Sequence, residues 1–519
     1  MTNISRRRFL QKTAALSAAT LGAATLGVNA RMLASQGGYP ALPEARWDKL
    51  PRWRGFNLLN YFMEFQQSPF EEQTFRDIAD CGFNFVRLPM DYRSWILDKD
   101  WSKIDGKKLD EIFAAVTFGE KYGIHVQFNF HRAPGYTVAQ PREEKSLWTD
   151  SEAREVCCRH WAEFARRCRG LSNANVSFNL FNEPDNVSQE ELLPATAAVI
   201  EAIRAEDPDR LIVCDGRRWA REPIPALIPY RVAQAARGYD PMEISHYGAS
   251  WVDSENYPYP TWPMLSANGL LVSPHKGDVP ESLHCPLTVT GPFVRESQLR
   301  LRIETVSTRG TLSVEADGRE ILRREFIPGE GEGEWKKAIY SKWNVWQNFY
   351  DLDIAVSIPA KTKALTIRNL DGDWIQLSEL ALQPNGAERE TILPLRSDWS
   401  GESCASVAWT DESALFTSED RMDRDWLWKN GVEPWTALAE RGVGVMVGEF
   451  GAYNKTPHDV VLRWMEDMLA NWKKAGFGWA LWNWTGAIGV VESGRADVDY
   501  EEWRGQKLDR KMLGLLQKY

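Results

Sequence analysis

The sequence predicts an α/β chain, a (β/α)8 TIM barrel with a jelly-roll-like β-sandwich inserted between its strand 6 and strand 7. Three observations carry this expectation. Strand-like and helix-like runs alternate from about residue 52 to 251 and again after 440. Between about 265 and 400 the helical period disappears and short alternating runs replace it. Several apolar runs also stop abruptly on a polar or charged residue, as at Arg87, Glu183 and Glu449. Strand–helix units of this length imply parallel strands joined by right-handed crossovers. Six units before 251 and two after 440 supply the eight of a barrel.

Taken in order, WRGFNLL (53–59) reads as strand 1, and Phe70 to Cys81 as a helix ended by Gly82 in the C′ position. FNFVRLP (83–89) is strand 2, ending on Arg87 just before Pro89. Gly106 to Tyr122 contains the next helix, closed by Gly123, and IHVQFNFHRAPGY (124–136) is strand 3 with its loop. Asp150 to Cys168 is a helix capped by Thr149 or Asp150. Strand 4 is the run to Phe181, in which Val176, Phe178 and Leu180 alternate with Ser177, Asn179 and Phe181. It stops at Asn182-Glu183-Pro184, since proline cannot continue a central strand. Gln189 to Glu206 is a helix, RLIVCDG (210–216) strand 5, Pro223 to Ala236 a helix, and MEISHYGASW (242–251) strand 6. VGVMVGEFGAY (443–453) carries strand 7 and ends on Glu449; GWALWNW (478–484) is strand 8, with helices over 457–475 and 506–518.

The inserted runs LTVTGPF, LRLRIETV, TLSVEADGREI, DIAVSIP, ALTIRNL and IQLSELALQ are split by Gly, Pro and Asp-Gly turns, the pattern of a sandwich. A guest placed between a strand's end and the next helix lies on the face where barrel sites form, so it is expected to wall the cleft. Its most aromatic segment, SKWNVWQNFYD (341–351), reads either as a sugar-stacking lip or as a packing seam against the barrel. The expected layout is a leader over 1–30, barrel strands 1–6 over 45–260, the sandwich over 265–400, and barrel strands 7–8 over 420–519.

Composition narrows the partners. A chain of 519 residues exceeds one ordinary barrel and its 43% apolar content fills a sizeable core. Its 24 tryptophans favour a carbohydrate partner, because indole faces stack on the C–H faces of sugar rings. SRRRFLQK (5–12), an uncharged Ala/Leu/Thr/Gly stretch, and Val28-Asn29-Ala30 read as a twin-arginine export leader with a small-residue cleavage site. The protein is therefore expected in the periplasm or outside the cell, monomeric and free of the membrane after cleavage. Loss of Arg6, Arg7, Arg8 and Lys12 with the leader takes the net charge from −10 to −14. Such an acidic surface repels phosphate and argues against nucleic acid. The seven cysteines (81, 157, 158, 168, 214, 285 and 404) lack metal spacing and are expected to be mostly buried thiols, with room for one disulfide. The seven histidines show no HExxH pattern, and neither a catalytic metal nor another cofactor is expected.

Two strand-end glutamates far apart in sequence, Glu183 and Glu449, suit glycoside hydrolysis, which needs one carboxyl as proton donor and another as nucleophile or base. The Asn182-Glu183-Pro184 motif and the later GEFG (448–451), with RLP, HRAPGY and WALWNW around them, resemble glycoside hydrolase family 5, the cellulase family A enzymes, over about 45–250 and 430–517. The resemblance implies a retaining double displacement on a (β/α)8 barrel. By the same resemblance Glu183 is the acid/base and Glu449 the nucleophile, Arg87 holds Glu449, Asn182 bonds the sugar 2-hydroxyl, His131 binds the same sugar, and Trp482 floors it. The family usually has His-x-Tyr on strand 6, whereas His246 and Tyr247 are adjacent here. Only one of two neighbours faces the site in a regular strand, so Tyr247 with Ser245 in the histidine slot, or a bulge restoring both, are the alternatives. The expected substrate is a β-1,4-linked polysaccharide or oligosaccharide, glucan first. A β-mannanase, an exo-acting β-glucosidase or β-mannosidase, and a non-catalytic glycan-binding protein are the alternatives.

Overall fold

The computed structural model describes residues 38–254, 257, 259–265, 267–277, 279–399, 401, 405–412, 414–418 and 421–519. The expected leader at 1–30 and Cys404 lie outside the described residues. Eight parallel strands close into a barrel: β1 (Arg54–Asn57), β2 (Phe85–Asp91), β3 (His125–Ala133), β4 (Val176–Phe181), β5 (Ile212–Asp215), β6 (Ala233–Gly238), β7 (Val445–Phe450) and β8 (Gly478–Leu481). Each pairs with the next in this order, and β8 returns to β1. Closure removes the sheet edges and turns all strand ends to one face.

The helices follow from their end signals. In α1 (Glu72–Asp80) the buried stripe is Phe75, Asp77 and Ile78. Helix α2 (Gly106–Tyr122) starts at Asp105, whose carboxylate accepts from the Lys107 and Lys108 amides, and ends at Gly123 with φ 66°. Helix α3 (Ser151–Cys168) is capped by Asp150 rather than Thr149. Helix α4 (Gln189–Glu206) begins with a capping box of Ser188 and Glu191. Helices α5 (His458–Ala475) and α6 (Arg510–Lys518) follow β7 and β8. Among the described residues no helix is long and apolar enough to cross a membrane.

Strand alternation sorts the side chains. In β4, Val176, Phe178 and Leu180 join the large apolar cluster under the helices, while Ser177 and Asn179 bond to residues of β3. Gly55 in β1 lies against β2 so closely that an added Cβ would meet the Phe85 carbonyl oxygen at 1.7 Å. Backbone on a closed barrel cannot retreat from such a clash. Gly55→Ala is expected to lower stability by about 3 kcal/mol, read as the denaturation midpoint in urea.

The region around strand 6 differs from expectation. The stretch 223–236 is not one helix: it holds a 3-10 turn, Pro225–Tyr230, followed by β6. Residues 242–251 are not a strand, because Met242–Ser245 is a short helix and a loop follows. The alanine-rich run Ala233–Gly238 has a high helix propensity, which misdirects a reading by propensity. Burial in the barrel overrides it: all six residues are buried, and Ala233 and Ala235 pack in the interior at the closed end.

The insertion separates β6 from the helical stretch that returns at Arg424–Ala439. Two long strands, Ser297–Ala316 and Thr362–Pro384, organise it. Residues 297–307 pair with Gln347–Ile358 and with 374–384, whereas 310–316 pair with Arg319–Phe326 and with the first half of the other long strand. Register shifts at Ser307/Gly310 and beyond let both strands pass from one layer to the other. Leu301, Ile303, Val314, Ile367, Ile375 and Leu380 fill the space between the layers. The hairpin after Ala316 turns on Asp317 and Gly318, both at positive φ, as a two-residue turn of this hand requires. Entry and exit of the insertion are joined where Met264–Leu265 pairs with Arg421–Met422, and Arg396 Nη2 donates to Glu243 Oε1 at 2.5 Å.

The aromatic segment 341–351 divides between solvent and the insertion's own core. Trp343 is 68% exposed, Tyr340 packs edge-on against Trp346, and Tyr350 packs against Phe326 and Trp335. Of the described cysteines, Cys157, Cys168 and Cys214 are buried thiols, Cys81 and Cys158 are half-buried and Cys285 is exposed.

Candidate active site

The open end of the barrel gathers polar side chains from seven strands. Arg87, at the middle of β2, is fully buried. Its guanidinium donates from Nη1 to Glu449 Oε1 at 2.6 Å and to Asn57 Oδ1 at 3.0 Å. Nε donates to Asn179 Oδ1 at 2.9 Å and Nη2 to Asn182 Oδ1 at 2.9 Å. Four acceptors from β1, β4, the turn after β4 and β7 thus converge on one cation, which gives a buried charge the partners it needs.

Glu449 reaches the interior through a bulge. Val447 pairs with Ala236 and Glu449 with Arg237, so Gly448 is an extra residue in β7. Val445 and Val447 join the apolar cluster outside the barrel and Met446 packs inside. Strict alternation would turn Glu449 outward; the extra residue turns it inward. There its Oε1 meets Arg87 and lies 3.0 Å from Arg237 Nη2, and its Oε2 accepts from the Tyr239 hydroxyl at 3.2 Å.

Glu183 sits in the turn after β4 with φ 50°, a left-handed backbone that is unfavourable for a non-glycine residue. Two bonds hold it there. Its amide donates to Asp215 Oδ2 at 3.0 Å, and its carbonyl accepts from the Tyr136 hydroxyl at 2.7 Å. The carboxylate accepts from Arg237 Nε at 2.7 Å. Burial first, and then the facing charge of Glu449, push the Glu183 carboxyl up to about 7, while Arg237 pulls it down.

Asn182 is fully buried and its amide orientation follows from its neighbours. Oδ1 accepts from both Arg87 Nη2 and Arg237 Nη2 at 2.9 Å, which leaves Nδ2 a donor without a protein partner. His131, at the end of β3, packs its ring against Phe62 at 4.5 Å and Trp482 at 5.6 Å. Burial and the charges of Arg87 and Arg237 push it well below the usual histidine range, so it acts as a neutral donor or acceptor. Trp482 follows β8 and also meets Phe62 at 5.2 Å.

The structure therefore brings together Glu183, Glu449, Arg87, His131, Asn182 and Trp482. It does not bring in His246 and Tyr247 as strand residues. His246 lies in the loop beyond β6, where its ring meets Tyr239 at 5.2 Å and its Nδ1 lies 2.7 Å from Ser245 Oγ. Burial pushes it down to about 4. Tyr247 is farther along the loop, against Tyr259 at 6.1 Å. The strand 6 pair is Arg237-Gly238-Tyr239, with an arginine where the resembling family usually has histidine. Its signal was present in the sequence: an apolar run, a charged residue and, three residues on, Asp240-Pro241. Asp215, which ends β5, has the same form and was also passed over.

The family model described as "Cellulase (glycosyl hydrolase family 5)" matches residues 44–275. The chain is 29% identical to "Cellodextrinase A" of Ruminococcus flavefaciens over 191 residues, covering 35% of this chain and 54% of that protein. It is 24% identical to "Endoglucanase C" of Acetivibrio thermocellus over 214 residues, covering 38% of this chain and 61% of that protein. The matches thus span less than two thirds of either relative. A solved structure described as "Crystal Structure of a glycoside hydrolase" is 26% identical with a TM-score of 0.57, covering 90% of this chain and 99% of that one.

Proposed function

We propose, from the glycosyl hydrolase family 5 cellulase domain that this chain carries over residues 44–275, that the protein is a retaining glycosidase acting on β-1,4-linked glucans. The observation that carries the reading is the unequal treatment of two facing glutamates. Glu449 accepts hydrogen bonds from Arg87 and Tyr239 and lies 3.0 Å from the Arg237 guanidinium, an arrangement that suits a negative nucleophile. Glu183 receives one side-chain donor and is pushed up to about 7, which suits a proton donor at neutral pH. One guanidinium touches both carboxylates, so they lie within a single side chain's span, as double displacement needs.

In this reading Glu183 protonates the departing oxygen while Glu449 attacks the anomeric carbon. The covalent intermediate is then hydrolysed by water that Glu183 deprotonates. Asn182 Nδ2, lacking a protein partner, donates to the sugar 2-hydroxyl, and Trp482 with Phe62 supplies an aromatic floor. Glucan comes first because the two relatives are named for cellodextrins and glucans. β-Mannan and exo-acting cleavage of short oligosaccharides are the substrates to set beside it.

The test is hydrolysis of carboxymethylcellulose, barley glucan, mannan, xylan and cello- and manno-oligosaccharides, with product anomers followed by proton NMR. Retained configuration on a β-glucan is expected. An inverted product overturns the mechanism, and no hydrolysis of any member overturns the glycosidase reading. kcat/KM is expected to fall as pH rises through about 7, because Glu183 then loses the proton it must donate.

A further inference from the structure

We propose that Asp215 and Arg237 are positioning residues that together set the catalytic proton on Glu183: Asp215 keeps it there by being the third carboxylate facing two guanidiniums, and Arg237 opposes it with its charge. This rests on the acid/base reading of Glu183. The charges that meet at the barrel's open end are Arg87 and Arg237 against Glu183, Asp215 and Glu449. Asp215 and Arg87 are almost wholly buried, and the Arg237 side chain is 2% exposed. Two cations and three anions leave one negative charge in excess, and a buried site relieves such an excess by taking up a proton.

The hydrogen bonds decide which carboxyl takes it. Asp215 accepts from Arg237 Nη2, from Asn179 Nδ2 at 2.9 Å and from the Glu183 amide at 3.0 Å. Glu449 accepts from Arg87 Nη1 and the Tyr239 hydroxyl and lies 3.0 Å from Arg237 Nη2. Glu183 has only Arg237 Nε on its side chain and is the most exposed of the three, at 15%. The proton falls to the carboxyl with fewest donors. Asp215 also shares the Arg237 charge, which otherwise would hold Glu183 ionised. The other groups facing Glu183 are Arg87 from β2, Tyr136 from the loop after β3, and Tyr239 from β6. The two tyrosines are pushed well above their usual range by burial and contribute no charge near neutrality.

The test is the basic limb of kcat/KM against pH, read with carbon-13 NMR titration of Glu carboxyls and Glu183→Gln to assign the resonance. Asp215→Asn removes the excess negative charge and is expected to move the limb and the resonance down by about 1 pH unit. Arg237→Gln removes a cation and is expected to move both up. Arg237→Lys keeps the charge and is expected to leave the limb near its original position while kcat falls. The double variant Asp215→Asn/Arg237→Gln restores the tally and is expected to return the limb. An unmoved limb and resonance in Asp215→Asn and in Arg237→Gln, with kcat lowered, overturns the proposal and leaves the glycosidase reading standing. Should Asp215→Asn fail to fold, Arg237→Gln against Arg237→Lys decides alone: equal limbs overturn it. The NMR titration reads the proton even in a protein that hydrolyses nothing, so failure of the enzyme reading is seen separately.

Discussion

Glu449→Gln is expected to lower kcat/KM on β-glucan by on the order of 10⁴-fold or more while leaving the denaturation midpoint nearly unchanged. An amide has the shape of the carboxylate and one oxygen fewer. That oxygen can still face Arg87 Nη1 and Arg237 Nη2, and the amide nitrogen can donate to the Tyr239 hydroxyl, so the buried bonds survive. A neutral amide cannot form the glycosyl ester, so the first displacement is lost. Glu183→Gln is expected to behave differently. It loses roughly 10²–10⁴-fold on polymer but far less in the first step with an aryl glycoside whose leaving group needs no proton. Kinetics on both substrates check the pair. Polymer turnover within tenfold of wild type in Glu449→Gln would remove it from the nucleophile role.

Arg87→Met is expected to lower stability by about 3–5 kcal/mol and to abolish activity. The methionine fills part of the space but leaves Glu449 facing an apolar wall. It also takes the Arg87 donor from Asn57 Oδ1, and leaves Asn179 Oδ1 and Asn182 Oδ1 with one donor each, from Asn129 and Arg237. Arg87→Lys is expected to recover little of either loss. One ammonium on a flexible stem cannot span acceptors that a planar guanidinium meets from Nε, Nη1 and Nη2. Urea denaturation of both variants measures it, and a loss below about 1 kcal/mol would mean that the β2 cation does not organise the site.

Much of this site was legible from the chain alone because strands that end on polar residues at a proline or glycine carry their own signal. Glu183 before Pro184 marks where an apolar run must stop; at Arg87 the expected stop does not occur, because β2 runs on through Pro89 to Asp91. Strand 6 is masked by its local propensity for a definite reason. Ala233–Gly238 offers small residues that pack in the tight interior of the barrel, and the same residues favour a helix when read locally. The error displaced the site pair by several residues, from Arg237 and Tyr239 to His246 and Tyr247. Likewise, alternation alone points Glu449 the wrong way, and only the pairing of β7 with β6 reveals the bulge at Gly448.

The sequence by itself determined the alternation of strands and helices, the place of the insertion, and the two glutamates that end β4 and β7. These are local properties, set by which residues can follow one another in a buried strand or a capped helix. Tertiary structure decided which charges meet. Asp215, Arg237 and Glu449 lie on different strands, and closure of the barrel brings Arg237 within hydrogen-bonding distance of Asp215, Glu449 and Glu183. The proton on Glu183 depends on that sum of charges in a space that excludes water, and such a sum exists only once the strands have closed.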